Sequence, residues 1–203
     1  MSEEEKIVTC GLDASLTGTG LAVKNGNISI KTIKTVPKDF PNDLERLKYI
    51  VTTIMSGIPK ETKLIVLEDV FTPQANQIGS AMKLIMLAGL LRMALYDAKL
   101  PTFIVSPNQI KKHLSGKGTC PKDQVTKEVY KKYGIDTKDN NQADAVAMCY
   151  LAADLYNYIK TGECNNCTKA QSEVIKKIAH ERPSYHVNIK KTVDVNTDSV
   201  VVE

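Results

Sequence analysis

The sequence predicts an α/β fold: a five-stranded mixed sheet flanked by helices, with a C-terminal tail. Residues 6 to 36 read as three consecutive strands. The run KLIVLEDVF, residues 63 to 71, is apolar enough to be buried on both faces, as strands in a parallel pairing are. Segments of helical periodicity then separate the later strands, the pattern of right-handed crossovers that lay helices against a sheet.

In chain order, KIVTCGLD forms the first strand, GLAVKNG the second and NISIKTIKTV the third. Asn25 and Gly26 accept positive φ at both central turn positions, so the second and third strands form an antiparallel hairpin. After Pro41, NDLERLKYIVTTIMSG sets Leu44, Leu47, Val51 and Ile54 three or four residues apart, the stripe of an amphipathic helix ended by Gly57 and Pro59. The fourth strand follows. NQIGSAMKLIMLAGLLRMALYDA, residues 76 to 98, is a long helix apolar around much of its circumference, its excess apolar face serving either the core or a dimer contact. PTFIVS is the fifth strand. NQIKKHLSGKGTCPKDQV breaks into a short helix, a loop around Gly116 and Gly118, and a further helix to Tyr133. The last strong helix spans Asn140 to Lys160. From Thr161 the composition turns polar and mixed, giving a domain over residues 1–160 and a partly disordered extension over 161–203 with a short helical piece.

A length of 203 residues suits one domain, and 42% hydrophobic with 25% charged residues is an ordinary soluble composition. No window reaches the ~18 uninterrupted apolar residues of a membrane span. MSEEEKIVTC has neither the basic nor the apolar region of a secretory signal, so a cytoplasmic location is expected. Five cysteines is an odd count, and Cys10 and Cys149 fall inside a strand and a helix, which argues against a disulfide framework. Cys164 and Cys167 make half a zinc site without a second pair, and an incidental or intermolecular role is expected. His113, His180 and His186 are isolated in sequence.

The net charge is only +4, but lysines concentrate after residue 110, at Lys111, Lys112, Lys117, Lys122, Lys127, Lys131 and Lys132. Such clustering suits a polyanion partner. The last three recur at helical spacing and fit a solvated helix face equally well.

Three carboxylates occupy positions that apolar patterning makes buried or half-buried: Asp13 ending the first strand, Glu68 ending the fourth, and Asp144 in the last helix. At ~100° per residue, Ala147, Met148, Leu151 and Leu155 all lie within about 60° of Asp144, so its carboxylate points at the sheet. No lysine or arginine shares that face, and an unpaired ionised group there is costly. A divalent cation shared by the three acids at the carboxyl ends of adjacent parallel strands is the economical solution. Hard oxygen ligands favour Mg²⁺ or Mn²⁺, and such a set commonly holds two ions ~4 Å apart at a phosphodiester. Taken singly, each acid also fits an N-cap, a surface group or an ion pair.

GLDASLTGTGLAV, LEDVF and QADAVAM, in this order and with NQIKKHLSGKGTCPKDQV between the last two, resemble the motifs of the RuvC-type Holliday junction resolvases of the ribonuclease H-like superfamily, especially the shorter bacteriophage forms. The resemblance runs from about residue 6 to residue 155. It implies a ribonuclease H-like fold and metal ligands at Asp13, Glu68 and Asp144. It also implies Lys111 and Lys122 near the scissile phosphate, and an aromatic at Phe71 that stacks on a base at the opened junction, although the sequence alone fits a core phenylalanine there equally well. Lys112 and Lys117 belong to the same basic segment, and Ser15, with Thr17 and Thr19, is placed to hydrogen-bond phosphate oxygens or to serve the turn. Many members carry a fourth acidic or histidine ligand where this chain has Asn141, which still offers a carbonyl oxygen. By helical rotation Asn140 and Asn141 flank Asp144, while Asp139 points away if the helix extends that far. The extension beyond residue 160 has no family counterpart.

The implied activity is paired nicking of four-way and other branched DNA by a homodimer, in a bacterium or a phage-infected cell, with Mg²⁺ replaceable by Mn²⁺. Two alternatives stand beside it. One is a catalytically silent branched-DNA-binding relative. The other is an actin- or sugar-kinase-like ATP phosphotransferase, whose first phosphate loop GLDASLTGTG also resembles, although 203 residues is short for its two domains.

Overall fold

Six strands make one mixed sheet: β1 (Thr9–Asp13), β2 (Gly18–Asn25), β3 (Asn27–Lys34), β4 (Leu64–Glu68), β5 (Thr102–Val105) and β6 (Ser184–Tyr185), in the order β3-β2-β1-β4-β5-β6. The computed structural model describes residues 7–70, 78–181 and 184–186. β1 pairs antiparallel with β2 and β2 with β3, while β4 lies parallel to both β1 and β5. The sequence predicts five strands; the sixth, β6, comes from the C-terminal extension and runs antiparallel along the edge of β5. In the hairpin, Gly26 alone takes a positive φ, of 70°, and Asn25 remains in β2 opposite Asn27.

The sheet separates two apolar layers. Alternation along the strands sends Cys10, Leu12, Ile65, Leu67 and Ile104 to one face, where α1 (Asp43–Gly57) and α2 (Ile78–Asp97) pack with Leu47, Ile50, Ile54, Leu87, Leu91 and Leu95. Leu64, Val66, Phe103 and Val105 face the other layer, formed by α3 (Pro107–Ser115), α4 (Lys122–Tyr133), α5 (Asn140–Thr161) and α6 (Lys169–Glu181).

α1 starts at Asn42, whose side chain accepts the Glu45 N–H at 2.9 Å. Its buried face differs from the predicted stripe. Arg46, Leu47, Ile50 and Ile54 are buried, whereas Leu44 is 64% exposed and Val51 half-buried. The helix is rotated because the Arg46 guanidinium finds hydrogen-bond acceptors inside.

α2 is apolar on two sides. Leu87, Leu91 and Leu95 are buried, and Met82, Ile85, Met86, Leu90, Met93 and Tyr96 are exposed. By length and composition Gly79–Asp97 is long and apolar enough to cross a membrane. Its two basic side chains pair with acids of the same chain at the surface: Lys83 with Asp43 of α1 and Arg92 with Asp69, both at 2.8 Å.

The stretch after Thr161, in which the sequence predicts a short helical piece before the tail, contains the 13-residue α6. Val174, Ile175 and Ile178 of α6 are buried in the same core as Leu155 of α5. Thr168 and Gln171 cap its start reciprocally: the Gln171 side chain accepts the Thr168 N–H at 2.9 Å and the Thr168 hydroxyl accepts the Gln171 N–H at 3.3 Å. A core therefore continues past residue 160.

Candidate active site

Register fixes the first half of the site. Leu12 of β1 pairs with Leu67 of β4 in parallel, so Asp13 and Glu68, each one residue further, end neighbouring strands that run ~4.8 Å apart. Both follow residues of the α1/α2 face, so alternation directs them to the α5 side. Each is half-buried. Open α/β sheets place ligands at this carboxyl edge.

α5 supplies the second half, and glycines let it approach. A methyl group on Gly11 of β1 would overlap the Ala145 carbonyl and the Cys149 nitrogen; one on Gly20, the register partner of Asp13, would overlap the Asn141 carbonyl. The helix thus crosses the sheet with its first turns over the Asp13 end of β1. Further along, the Thr9 hydroxyl donates to the Cys149 carbonyl at 3.3 Å and the Cys149 thiol to the Thr9 carbonyl at 3.4 Å. Asp144 stands half-buried one residue before Ala145, and Ala147, Met148, Leu151 and Leu155 are buried as the helical rotation predicts. Asn141 sits over β2, where a methyl on Gly18 would come within 2.7 Å of its side-chain nitrogen. Asp139 is not in the helix: it caps α5 from extended backbone, accepting the Gln142 N–H at 2.9 Å and the Thr32 hydroxyl at 3.0 Å, and this capping turns it elsewhere.

Among the described residues, no three His, Cys, Asp or Glu side chains are gathered closely enough to hold a metal ion. The backbone brings Asp13, Glu68 and Asp144 to one end of the sheet without clasping their carboxylates around a point. The donors are nonetheless carboxylate and amide oxygens with no thiol or imidazole among them, which suits a hard divalent cation.

The turn after Asp13 is tightly bonded. The Ser15 hydroxyl accepts the Gly18 N–H at 3.0 Å, the Ser15 N–H donates to the Thr19 hydroxyl at 3.2 Å, and that hydroxyl donates to the Ser15 carbonyl at 2.8 Å. Ser15 therefore serves the turn. In the basic segment, Lys111 and Lys112 end α3 half-buried, and Lys112 is ion-paired with Glu173 of α6 at 3.2 Å. Lys117 is exposed in the loop that brings Gly118 back against Asn108 at the start of α3. Lys122 is the first residue of α4, but its side chain lies outside the described residues, as does the whole of Phe71.

Two features escaped the sequence reading. Arg46 is 5% exposed beside the turn after Asp13. His113, isolated in sequence, is buried with its Nε2 2.8 Å from the Asp154 carboxylate, while Lys132 donates to its carbonyl at 3.0 Å. Burial lowers the His113 pKa from its ordinary value, and the Asp154 bond opposes this only in part. The periodicity Ile110, His113, Leu114 carried that signal. All five cysteines are free thiols; burial pushes Cys149 up to about 11, as expected of an inert core thiol.

The sheet order, with an antiparallel hairpin beside two parallel steps and an acid-bearing helix laid over them, defines a ribonuclease H-like fold. The family profile of crossover junction endodeoxyribonuclease RuvC matches residues 9–151, and the chain belongs to this family, whose members are metal-dependent DNA endonucleases. A crossover junction endodeoxyribonuclease RuvC of Carboxydothermus hydrogenoformans is 28% identical over 153 residues, 71% of this chain and 93% of the relative. That of Acinetobacter baylyi is 31% identical over 157 residues, 70% and 82% of the two chains. The Thermus thermophilus RuvC structure superposes with a TM-score of 0.59 at 23% identity, covering 77% of this chain and 97% of that one. The same enzyme in complex with Holliday junction substrate gives 0.58 at 22%.

Proposed function

We propose that this protein is a structure-selective endonuclease that resolves four-way DNA junctions by paired nicks. The observation that carries this reading is the Leu12–Leu67 register, which sets Asp13 beside Glu68 at the carboxyl edge beneath the start of α5. Asp13, Glu68 and Asp144 would share cations at this edge, with the Asn141 carbonyl adding a neutral ligand. Two Mg²⁺ ions, replaceable by Mn²⁺, would activate the attacking water and relieve charge at the leaving oxygen. Lys122, opening α4, stabilises charge on the scissile phosphate, and Lys111 assists. Lys112 and Lys117 contact backbone phosphates, which position the DNA without reading its sequence. Phe71 stacks on an unpaired base. The enzyme works in the cytoplasm, where the junctions are.

Paired cuts require two sites at a fixed separation, and α2 supplies the surface. Its exposed stripe of Met82, Ile85, Met86, Leu90 and Met93 is of the kind that a second copy buries in an isologous contact, and Gly89 within it has nothing near its Cα side. Membrane insertion is the poorer use, because Lys83 and Arg92 on this helix are committed to acids of the same chain.

Asn141 in place of a fourth acid, together with carboxylates that are not pre-gathered, favours one further reading: a relative that binds branched DNA without cutting it. The family match leaves the phosphotransferase alternative without support. One assay decides: a labelled four-way junction incubated with Mg²⁺ or Mn²⁺, beside an Asp13→Asn variant. Symmetric nicks with 5′-phosphate ends, lost in the variant, are expected; tight binding without nicks establishes the silent relative.

A further inference from the structure

Arg46 projects from α1 into the protein rather than toward solvent, and among the described residues no carboxylate pairs with it. Its hydrogen bonds go to the backbone and to one hydroxyl. Nε donates to the Thr35 hydroxyl at 3.0 Å; one terminal nitrogen donates to the Leu16 carbonyl at 2.5 Å and to the Thr35 carbonyl at 3.4 Å. The Thr35 hydroxyl in turn donates to the Leu16 carbonyl at 2.5 Å, and the Thr35 N–H donates to the Thr17 carbonyl at 3.3 Å. A buried guanidinium without a counter-charge is costly, so the acceptors it holds must matter to the fold or to the site.

Leu16 lies in the connection between β1 and β2, which begins at the residue after Asp13; Thr35, just past the end of β3, supplies the other acceptors and is itself bonded to that connection through the Leu16 and Thr17 carbonyls. One side of this turn is closed by the Ser15, Gly18 and Thr19 bonds described above; the other side is held through Thr35 and Arg46. The planar fork of arginine meets two carbonyls and a hydroxyl at once, which a single ammonium cannot do.

We propose that Arg46 is a positioning residue of the active site: through Leu16 and Thr35 it fixes the turn that sets the direction of the Asp13 carboxylate. This rests on the nuclease reading given above, in which Asp13 is a cation ligand. A turn loosened at Leu16 lets Asp13 swing, so cation affinity and turnover fall together while the DNA surfaces, borne on other elements, remain in place.

The test compares the full-length wild type with Arg46→Lys and with Thr35→Val, which keeps the shape and the arginine but removes the bridging hydroxyl. Three quantities are read: Mn²⁺ binding by electron paramagnetic resonance titration without DNA, junction affinity in Ca²⁺, and single-turnover cleavage against metal concentration. The expected result is Mn²⁺ affinity lowered about 3- to 10-fold and cleavage at limiting metal lowered about 10- to 100-fold, as for misplacement of a catalytic group. Junction affinity should stay within about 2-fold of wild type, and Thr35→Val should give the same pattern at smaller amplitude. Unchanged Mn²⁺ affinity in both folded variants overturns the proposal, as does equal loss of junction affinity and cleavage, which marks a purely structural role. If the wild type itself does not cut, the nuclease reading has failed, and the Mn²⁺ titration still decides whether Arg46 orders Asp13.

Discussion

Gly11 of β1 and Ala145 of α5 meet backbone to backbone, with the Ala145 carbonyl where a side chain on Gly11 would stand. That contact sets the height of α5 above the sheet and hence the place of Asp144, the preceding residue. Gly11→Ala should therefore do two things. Overpacking against main chain costs about 1 to 3 kcal/mol, seen as a lowered Tm. The displaced helix should also lose cleavage beyond what the stability change explains, since the variant measured well below its Tm still carries Asp144 out of place. Wild-type cleavage in a stable Gly11→Ala protein would show that the approach of α5 does not govern the site.

Neutralising the acids separates chemistry from binding. Asp13→Asn, Glu68→Gln and Asp144→Asn should each slow cleavage by at least ~10²-fold, while junction affinity measured in Ca²⁺ changes little. Asn141→Asp should act in the opposite sense on metal dependence: a fourth negative charge at the start of α5 lowers the Mg²⁺ concentration giving half-maximal cleavage. A variant unchanged in its metal curve would place Asn141 outside the ligand set.

The α2 stripe predicts an assembly. Leu90 is 44% exposed in the middle of the stripe, and Leu90→Arg puts an unpaired charge into any self-contact there. Light scattering should report a dimer for the wild type and a monomer for the variant. In a junction assay the monomer should release single nicks rather than paired ones. A variant that remains dimeric moves the interface elsewhere.

Candidate acids are legible in the sequence because carboxylates at otherwise apolar positions conflict with their surroundings, and helical rotation gives the face of Asp144, whose companions Ala147, Met148, Leu151 and Leu155 are buried. Asp139 lies outside α5 as its N-cap, in extended backbone, so helical rotation does not apply to it; capping is what turns its carboxylate away. What could not be read has a common physical cause: polar side chains that become buried only through partners distant in sequence. Arg46 looks like a surface residue of α1 until Leu16 and Thr35 are placed beside it, and the misassigned stripe of α1 follows from that. Lys112 and Glu173 lie 61 residues apart, so the docking of α6 on α3 left no local trace. β6, two residues long, is too short for any periodicity to declare.

His113 gives the protein a defined response to acid. Burial disfavours its charged form and lowers its pKa; the Asp154 carboxylate at 2.8 Å pulls the other way, and the Lys132 ammonium adds to the lowering. The unfolded chain, with an ordinary value near 6.5, then binds a proton more readily than the folded one. By linkage, this contribution to stability is fully present above about pH 6.5 and is lost as the pH falls through that value toward the lower folded one. Thermal denaturation between pH 7.5 and 5.5 should show Tm falling on acidification. His113→Gln, neutral throughout, should have a lower Tm at pH 7.5 and a flatter slope. A wild-type Tm that instead rises as the pH is lowered would mean that the folded protein prefers a charged imidazolium against Asp154, so that pairing outweighs burial at this site.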